Sequence, residues 1–177
     1  MKQKSNPKKI VFLDRDGVIN IDHGYVSKKN SFKFQDFIFE FCRFVTSINF
    51  DLIIVTNQSG IGRGMYSEEE FNILNSWMLA EFKKQSVDIL DVFYCPHHPD
   101  KGCECRKPAP GMFLNAIEKY NIDIDKSWMI GDKESDITAS SLAGIENNII
   151  VSNKDIDSSA KHTAKCIEDL KNIIKVY

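Results

Sequence analysis

The chain of 177 residues has no apolar run near the ~20 residues that a helical membrane span requires. It also lacks a large excess of either charge. Its 23 basic and 25 acidic residues leave a formal net charge of −2. No nucleic acid and no anionic membrane is therefore expected as a partner on broad electrostatic grounds, although such a balance still accommodates a local basic site. Internal repeats and low-complexity linkers are missing as well. Met1 to Lys9 is basic and polar and runs straight into a short strand pattern, unlike the apolar core of a secretory leader. These absences point to a cytoplasmic chain, in which disulfides are not expected.

What is present suits one globular domain spanning 1–177. Apolar residues make up 42% and charged residues 27%, ordinary values for a domain with a full core. Short apolar runs alternate with amphipathic stretches. Strands are expected at 10–13, 52–55, 90–94, 128–130 and 148–151, with one more at 164–167. Helical spacing predicts helices over 36–48, 67–86, 110–120 and 135–143, and a last one in the tail. In the first helix Phe37, Phe41, Phe44, Val45 and Ile48 fall on one side. The second opens with a capping box, Ser67 and Glu70, and turns Phe71, Leu74, Met78 and Phe82 to one face. Alternating strands and helices imply an α/β, Rossmann-like three-layer sandwich around a mostly parallel sheet. Ligands of such sheets sit outside the carboxyl ends of the strands, so the residues just after each strand carry the chemistry.

After the first strand comes Asp14-Arg15-Asp16-Gly17. Two carboxylates one residue apart suit a nucleophile and an acid/base beside a divalent cation, although Asp and Gly also suit a plain turn. After the second strand, Thr56-Asn57-Gln58-Ser59-Gly60 and the glycines around Arg63 offer a hydroxyl, amides and backbone N–H groups fit for phosphate oxygens. Arg106 and Lys107 precede a helix start and add positive charge. After the fourth strand, Asp132 is placed to join Asp14 at a metal, and Asp136 either supports that site or caps the helix.

This order of motifs resembles the haloacid dehalogenase (HAD) superfamily of phosphatases: DxDG, an apolar run ending in Thr, a Lys before a helix, then GDxxxD. The resemblance covers about 10–151. It implies that Asp14 attacks phosphorus and becomes an aspartyl phosphate. Asp16 would protonate the leaving oxygen and then activate water. Thr56 and Lys107 would stabilise the transferring group, and Mg²⁺ would lie between Asp14, the Asp16 carbonyl and Asp132. No insertion is long enough for a cap domain, so a capless fold is expected.

Cys95, His97, Cys103 and Cys105 form a Cys₃His set within the loop 95–105, suited to tetrahedral, structural Zn²⁺. His98 competes with His97, and the alternation of an extended CxH favours His97. Cys42 and Cys166 sit in apolar patterns and are expected to be buried thiols. With this loop, the segments DRDGVIN, DHGYV, TNQSGIGRG and GDKESD resemble the heptose-bisphosphate and histidinol-phosphate phosphatases of the superfamily. That resemblance implies a small phosphorylated sugar as partner, and a monomer is expected. It implies substrate contacts at Asp22, His23, Gly24, Tyr25, Asn57, Gln58, Ser59, Arg63 and Arg106. The expected reaction is removal of the 7-phosphate of a heptose 1,7-bisphosphate. A histidinol-phosphate phosphatase is the alternative, and an inactive zinc-stabilised binding protein a more distant one.

Overall fold

The computed structural model describes residues 6–174. In chain order the elements are β1 (Ile10–Leu13), α1 (Ile38–Ser47), β2 (Asp51–Asn57), the single turn α2 (Ser59–Gly62), α3 (Glu68–Lys84) and β3 (Ile89–Cys95). They continue with α4 (Gly111–Tyr120), β4 (Trp128–Gly131), α5 (Glu134–Leu142), β5 (Asn147–Val151), β6 (His162–Ala164) and α6 (Leu170–Ile174). The six strands form one sheet in the order β3-β2-β1-β4-β5-β6, and every neighbouring pair is parallel. The chain winds outward from β1 to β3, crosses back to β4 and winds outward again. The crevice between the ends of β1 and β4 is therefore the topological switch point, where α/β sheets bind ligands.

Alternation along the strands builds two cores. Val11, Leu13, Leu52, Ile54, Trp128 and Ile130 face α1, α3 and α6, packing on Phe41, Val45, Met78, Phe82 and Leu170. Ile10, Phe12, Ile53, Val55 and Met129 face α4 and α5, packing on Met112, Phe113, Ala116 and Ala139. All four residues of β1 have no exposed surface, as expected for a strand buried on both faces. The capping box of α3 is present: Glu70 N–H donates to Ser67 Oγ and Ser67 N–H to Glu70 Oε2, at 3.0 and 2.8 Å.

Three expectations need correction. Phe37 does not share the apolar face of α1. It caps the helix at φ 65° with its ring 46% exposed, and Ile38 takes the interior place. The last strand covers His162–Ala164 rather than 164–167, because the Asp169 carboxylate accepts from Lys165 N–H (3.2 Å) and turns the chain into α6. The same turn leaves Cys166 exposed, whereas Cys42 is buried. Among the described residues no helix is long and apolar enough to cross a membrane.

Phe41 anchors α1 to the sheet and is fully buried. Phe41→Ala is expected to lower unfolding free energy by about 3–5 kcal/mol, the usual cost of deleting a buried ring. Urea denaturation followed by circular dichroism measures this, and a loss under ~1 kcal/mol would mean that this face collapses around the cavity.

Candidate active site

Two strand ends, the start of a helix and one loop converge on a buried ammonium group. Lys107 Nζ lies 2.7 Å from Asp14 Oδ1, 2.6 Å from Asp136 Oδ1 and 2.8 Å from the Val55 carbonyl oxygen. Its three N–H donors thus match three acceptors, one each from the ends of β1 and β2 and from α5. Asp14 is itself fixed by its backbone N–H, which donates to Ile130 O at 3.0 Å and stitches β1 to β4. Asn57 holds the lysine's backbone: its Nδ2 donates to Lys107 O (3.0 Å) and its Oδ1 accepts from Lys107 N–H (3.1 Å). Asp136, left open between two roles by the sequence, caps α5 and pairs with Lys107. Its second oxygen accepts from Lys133 N–H at 3.1 Å and caps α5.

Asp16 is oriented from three sides. Arg15 Nη2 lies 2.8 Å from its carboxylate, Asn20 Nδ2 donates to Oδ1 at 3.0 Å, and Gln58 Nε2 donates to Oδ2 at 3.0 Å. Arg15 is 2% exposed; its guanidinium also donates to Val26 O and lies over the rings of Phe32 and Phe71. Thr56 is buried, and its Oγ1 accepts from Gln58 Nε2 at 2.8 Å.

The charge balance of this cluster calls for a further cation. Asp14, Asp132 and Asp136 place carboxylate oxygens within 4.8 Å of one another, against two ammonium groups, Lys107 between Asp14 and Asp136 and Lys133 at 3.5 Å from Asp132. Burial pushes the Asp14 carboxyl up to about 8, with Asp136 and Asp132 adding to the shift and Lys107 opposing it. Burial raises Asp132 too, again helped by Asp136. Burial works against the charge on Lys107, but Asp136 and Asp14 outweigh it and hold the ammonium above its ordinary pKa. Asp132 Oδ1 is buried with no hydrogen-bond partner. An orphaned carboxylate oxygen beside a carboxyl whose ionisation is undercompensated is the donor set that a hard divalent cation completes. Gly17 leaves room for it. At φ +103° its backbone suits glycine alone, and a Cβ there would lie 2.2 Å from Asp132 Oδ2.

A cavity of about 50 Å³ lies at this cluster, lined by Asp14, Asp16, Thr56, Asn57, Lys107, Lys133, Ser135 and Asp136. It shares Asp16, Asn57, Lys107, Lys133 and Ser135 with an outer cavity of about 470 Å³. The outer walls include Asp22, Gly24, Tyr25, Gln58, Ser59 and Arg106. His23 and Arg63 are exposed and line neither cavity, because the turn at Gly24 and the end of α2 direct them to solvent. Arg106 Nη1 is buried without a partner. Tyr66, Pro108, Lys133 and Ser135 also line the outer cavity. None of these four stands out as a site residue from the sequence. Lys133 reaches both Asp22 (3.1 Å) and Asp132 (3.5 Å) and so ties the loop after β1 to the end of β4.

The Cys/His loop closes on itself beside Arg106. Cys103 Sγ lies 3.5 Å from both Cys95 Sγ and Cys105 Sγ, and His97 Nδ1 lies 3.6 Å from Cys95 Sγ and 3.2 Å from Cys105 Sγ. A tetrahedral zinc with ~2.3 Å sulfur bonds and ~2.0 Å nitrogen bonds sets edges of ~3.8 and ~3.6 Å, so the four donors fit such an ion closely. All three thiols are free. His98 instead caps the following turn, its Nδ1 accepting from Asp100 N–H. Burial opposes ionisation of Cys103, but hydrogen bonds from Cys105, Cys95 and the Arg106 N–H bring its thiol down to about 7. Gln58 N–H donates to Cys95 O at 2.8 Å, and Gly62 packs so closely that a Cβ would meet His98 N at 2.3 Å. The loop is thereby pinned to the end of β2.

Parallel topology, carboxylates after β1 and β4, and a buried lysine between them define a HAD-type hydrolase. A family profile described as HAD-hydrolase-like matches residues 104–172. The chain is 44% identical over 177 residues to the D-glycero-beta-D-manno-heptose-1,7-bisphosphate 7-phosphatase of Photorhabdus laumondii, covering 93% of this chain and 94% of the relative. It is 44% identical over 167 residues to the D-glycero-alpha-D-manno-heptose-1,7-bisphosphate 7-phosphatase of Campylobacter jejuni, covering 94% and 96%. The crystal structure of D,D-heptose 1,7-bisphosphate phosphatase from B. bronchiseptica, complexed with magnesium and phosphate, superposes with a TM-score of 0.85 at 25% identity, covering 95% and 98%. The chain belongs to the D-glycero-D-manno-heptose-1,7-bisphosphate 7-phosphatase family.

Gly17→Ala is expected to displace the Asp132 carboxylate, since the added methyl would occupy its place. Divalent-cation affinity should fall by ~10–100-fold, the usual effect of disturbing a ligand's support. Titration calorimetry with Mg²⁺ and paramagnetic resonance with Mn²⁺ measure it. Unchanged affinity would remove Asp132 from the metal site.

Proposed function

We propose that this protein hydrolyses the 7-phosphate of D-glycero-D-manno-heptose 1,7-bisphosphate and releases the heptose 1-phosphate and inorganic phosphate. The observation that carries the reading is the two-chambered site. The inner cavity of about 50 Å³ admits little more than a phosphoryl group, and the outer one of about 470 Å³ opens from it through shared side chains. A sugar with a phosphate at each end matches that division. Arg106, with its unpartnered Nη1 in the outer wall, is the group suited to the remote phosphate or sugar oxygens.

In this mechanism Asp14 attacks phosphorus in line with the ester oxygen. A bond forms between its carboxylate oxygen and phosphorus as the bond to O7 breaks, giving an aspartyl phosphate. Asp16 gives its proton to O7. It then takes a proton from the water that cleaves the aspartyl phosphate and restores Asp14. Lys107 and the Thr56 hydroxyl offset charge on the phosphoryl oxygens. Mg²⁺, held by Asp14, Asp132 and the Asp16 carbonyl, would supply the charge that lets a carboxylate approach a phosphate dianion. Zn²⁺, held by Cys95, His97, Cys103 and Cys105, would leave no ligand position open and serve structure only. The expected setting is the cytoplasm, and the expected active unit a monomer.

Two experiments test this reading. With each anomer of the bisphosphate, phosphorus NMR should show inorganic phosphate appearing while the C1 phosphate signal persists. Asp14→Asn should lower the rate by at least ~10³-fold, as loss of a nucleophile does. Release of the C1 phosphate, or faster turnover of histidinol phosphate, would overturn the substrate assignment.

For the zinc loop, elemental analysis of protein purified without chelator should give about one zinc per chain. Cys105→Ser should lose it. Activity should then fall with the metal, because Arg106 and Lys107 follow the loop directly. Full activity in zinc-free protein would reduce the loop to a spectator.

A further inference from the structure

We infer that Gln58 and Tyr66 are positioning residues for proton transfer: Tyr66 fixes the orientation of the Gln58 amide, which in turn aims Asp16 and Thr56 at the substrate. The inference rests on the reading of Asp16 as the acid/base.

Every polar group of the Gln58 side chain is engaged. Nε2 donates one hydrogen to Asp16 Oδ2 at 3.0 Å and the other to Thr56 Oγ1 at 2.8 Å. Oε1 accepts from the Tyr66 hydroxyl at 2.7 Å. The residue is 2% exposed, so although it borders the outer cavity both of its donors are already committed and none is left for a sugar. Its backbone is also held, with N–H on Cys95 O and the carbonyl accepting from Ile61 N–H at 3.1 Å. This amide serves residues of its own chain.

The direction of the amide matters, because its two ends have opposite effects. With nitrogen toward Asp16 it donates to a carboxylate, which only accepts when ionised. While Asp16 is ionised, as it is when it takes the proton from water, oxygen toward Asp16 would set two acceptors against each other at about the same separation, a repulsive contact. A phenol can resolve the choice by donating to the oxygen end. Tyr66 meets that requirement. It is 7% exposed, and burial holds its pKa at about 12, so the phenol keeps its proton. The fold reserves space for this ring. A Cβ on Gly60 would lie 2.1 Å from Tyr66 Cε1, so the glycine after Ser59 lets the ring pass beneath the amide.

The same bond orients Thr56. Its Oγ1 accepts from Gln58, so its own hydrogen points away from that amide, and the inner cavity is the space that Thr56 lines. One amide therefore holds the acid/base at the leaving oxygen and presents a hydroxyl donor to the phosphoryl group.

The test separates proton transfer from general structural damage. Tyr66→Phe keeps the ring and removes the oxygen; Gln58→Met keeps the length and removes all three bonds. Both are assayed on the heptose bisphosphate, whose sugar alkoxide needs a proton to leave, and on p-nitrophenyl phosphate, whose phenolate leaves without one. Well-placed general acids contribute ~10²–10⁴-fold, and partial misplacement removes part of that. We expect kcat on the bisphosphate to fall by ~10-fold in Tyr66→Phe and ~10²-fold in Gln58→Met. On the nitrophenyl ester the loss should be no more than ~2–3-fold in Tyr66→Phe. Gln58→Met, which also releases the Thr56 hydroxyl, should lose more there but clearly less than on the bisphosphate, and KM should be unchanged on both substrates. Equal losses on both substrates would make the pair structural, and a raised KM with unchanged kcat would make Gln58 a substrate contact; either overturns the inference. Asp16→Asn is the reference. If that variant shows no leaving-group dependence, the acid/base reading itself falls. If it does and Tyr66→Phe does not, only the present inference falls.

Discussion

The ammonium of Lys107 is the constraint on which the rest of the site depends. It is buried within 2.8 Å of Asp14, Asp136 and the Val55 carbonyl, and those three partners belong to different elements. Each requires the others. Without the carboxylates, burial would neutralise the lysine. Without the lysine, Asp14 and Asp136 would face each other inside the protein with Asp132 close by. Removing one member of such a buried pair costs about 3–5 kcal/mol in other proteins, because the charge left behind has no solvent to turn to. The pairing holds β1, β2 and the start of α5 in one geometry before any substrate arrives. The stiffness of the sheet makes it durable: the strands that end at these residues are enclosed on both faces.

The lysine itself comes from a loop, the least reliable place for a precise side chain. Two fasteners compensate. Asn57 grips the backbone of Lys107 through both ends of its amide, and the Cys/His cluster lies immediately before Arg106. The Arg106 N–H helps to favour the Cys103 thiolate, so the thiol cluster and the cationic pair are linked electrostatically. A bound metal in that cluster would be a crosslink across a segment with no regular secondary structure beyond one short turn.

Much of this is legible in the sequence. Strand runs such as 10–13 and 52–55 are apolar without interruption because both faces are covered, and a strand with one face in water would alternate instead. Asp14, Thr56 and Asp132 are legible for a related reason: parallel strands fix where their C-terminal residues go, whereas Lys107 is legible from its motif position before a helix. Legibility fails where a side chain's role depends on contacts distant in sequence. Phe37 fits the helical spacing, yet the chain turns through a left-handed conformation there and Ile38 takes its place. Cys166 lies in an apolar stretch but falls on a turn made by Asp169. Gln58 reads as one more polar residue in a Gly-rich loop. Only the fold shows its amide committed to Asp16, Thr56 and Tyr66. Tyr66 itself carries no signal, since nothing local tells a buried phenol from a surface one.

The division of labour within the site follows from this difference. Asp14, Thr56 and Asp132 of the inner cluster sit at strand ends, where the sheet sets their positions closely, while Lys107 is brought to them by a loop. The residues that wall the outer cavity, Asp22, Gly24, Tyr25 and Arg106 among them, sit on loops, where a substitution changes shape without disturbing the sheet. Lys133 is the joint between the two sets: it contacts Asp132 on one side and Asp22 on the other. A substrate anion entering the outer cavity would compete with Asp22 for that ammonium. Lys133 thus ties a wall of the outer cavity to Asp132, whose Oδ1 is buried without a partner.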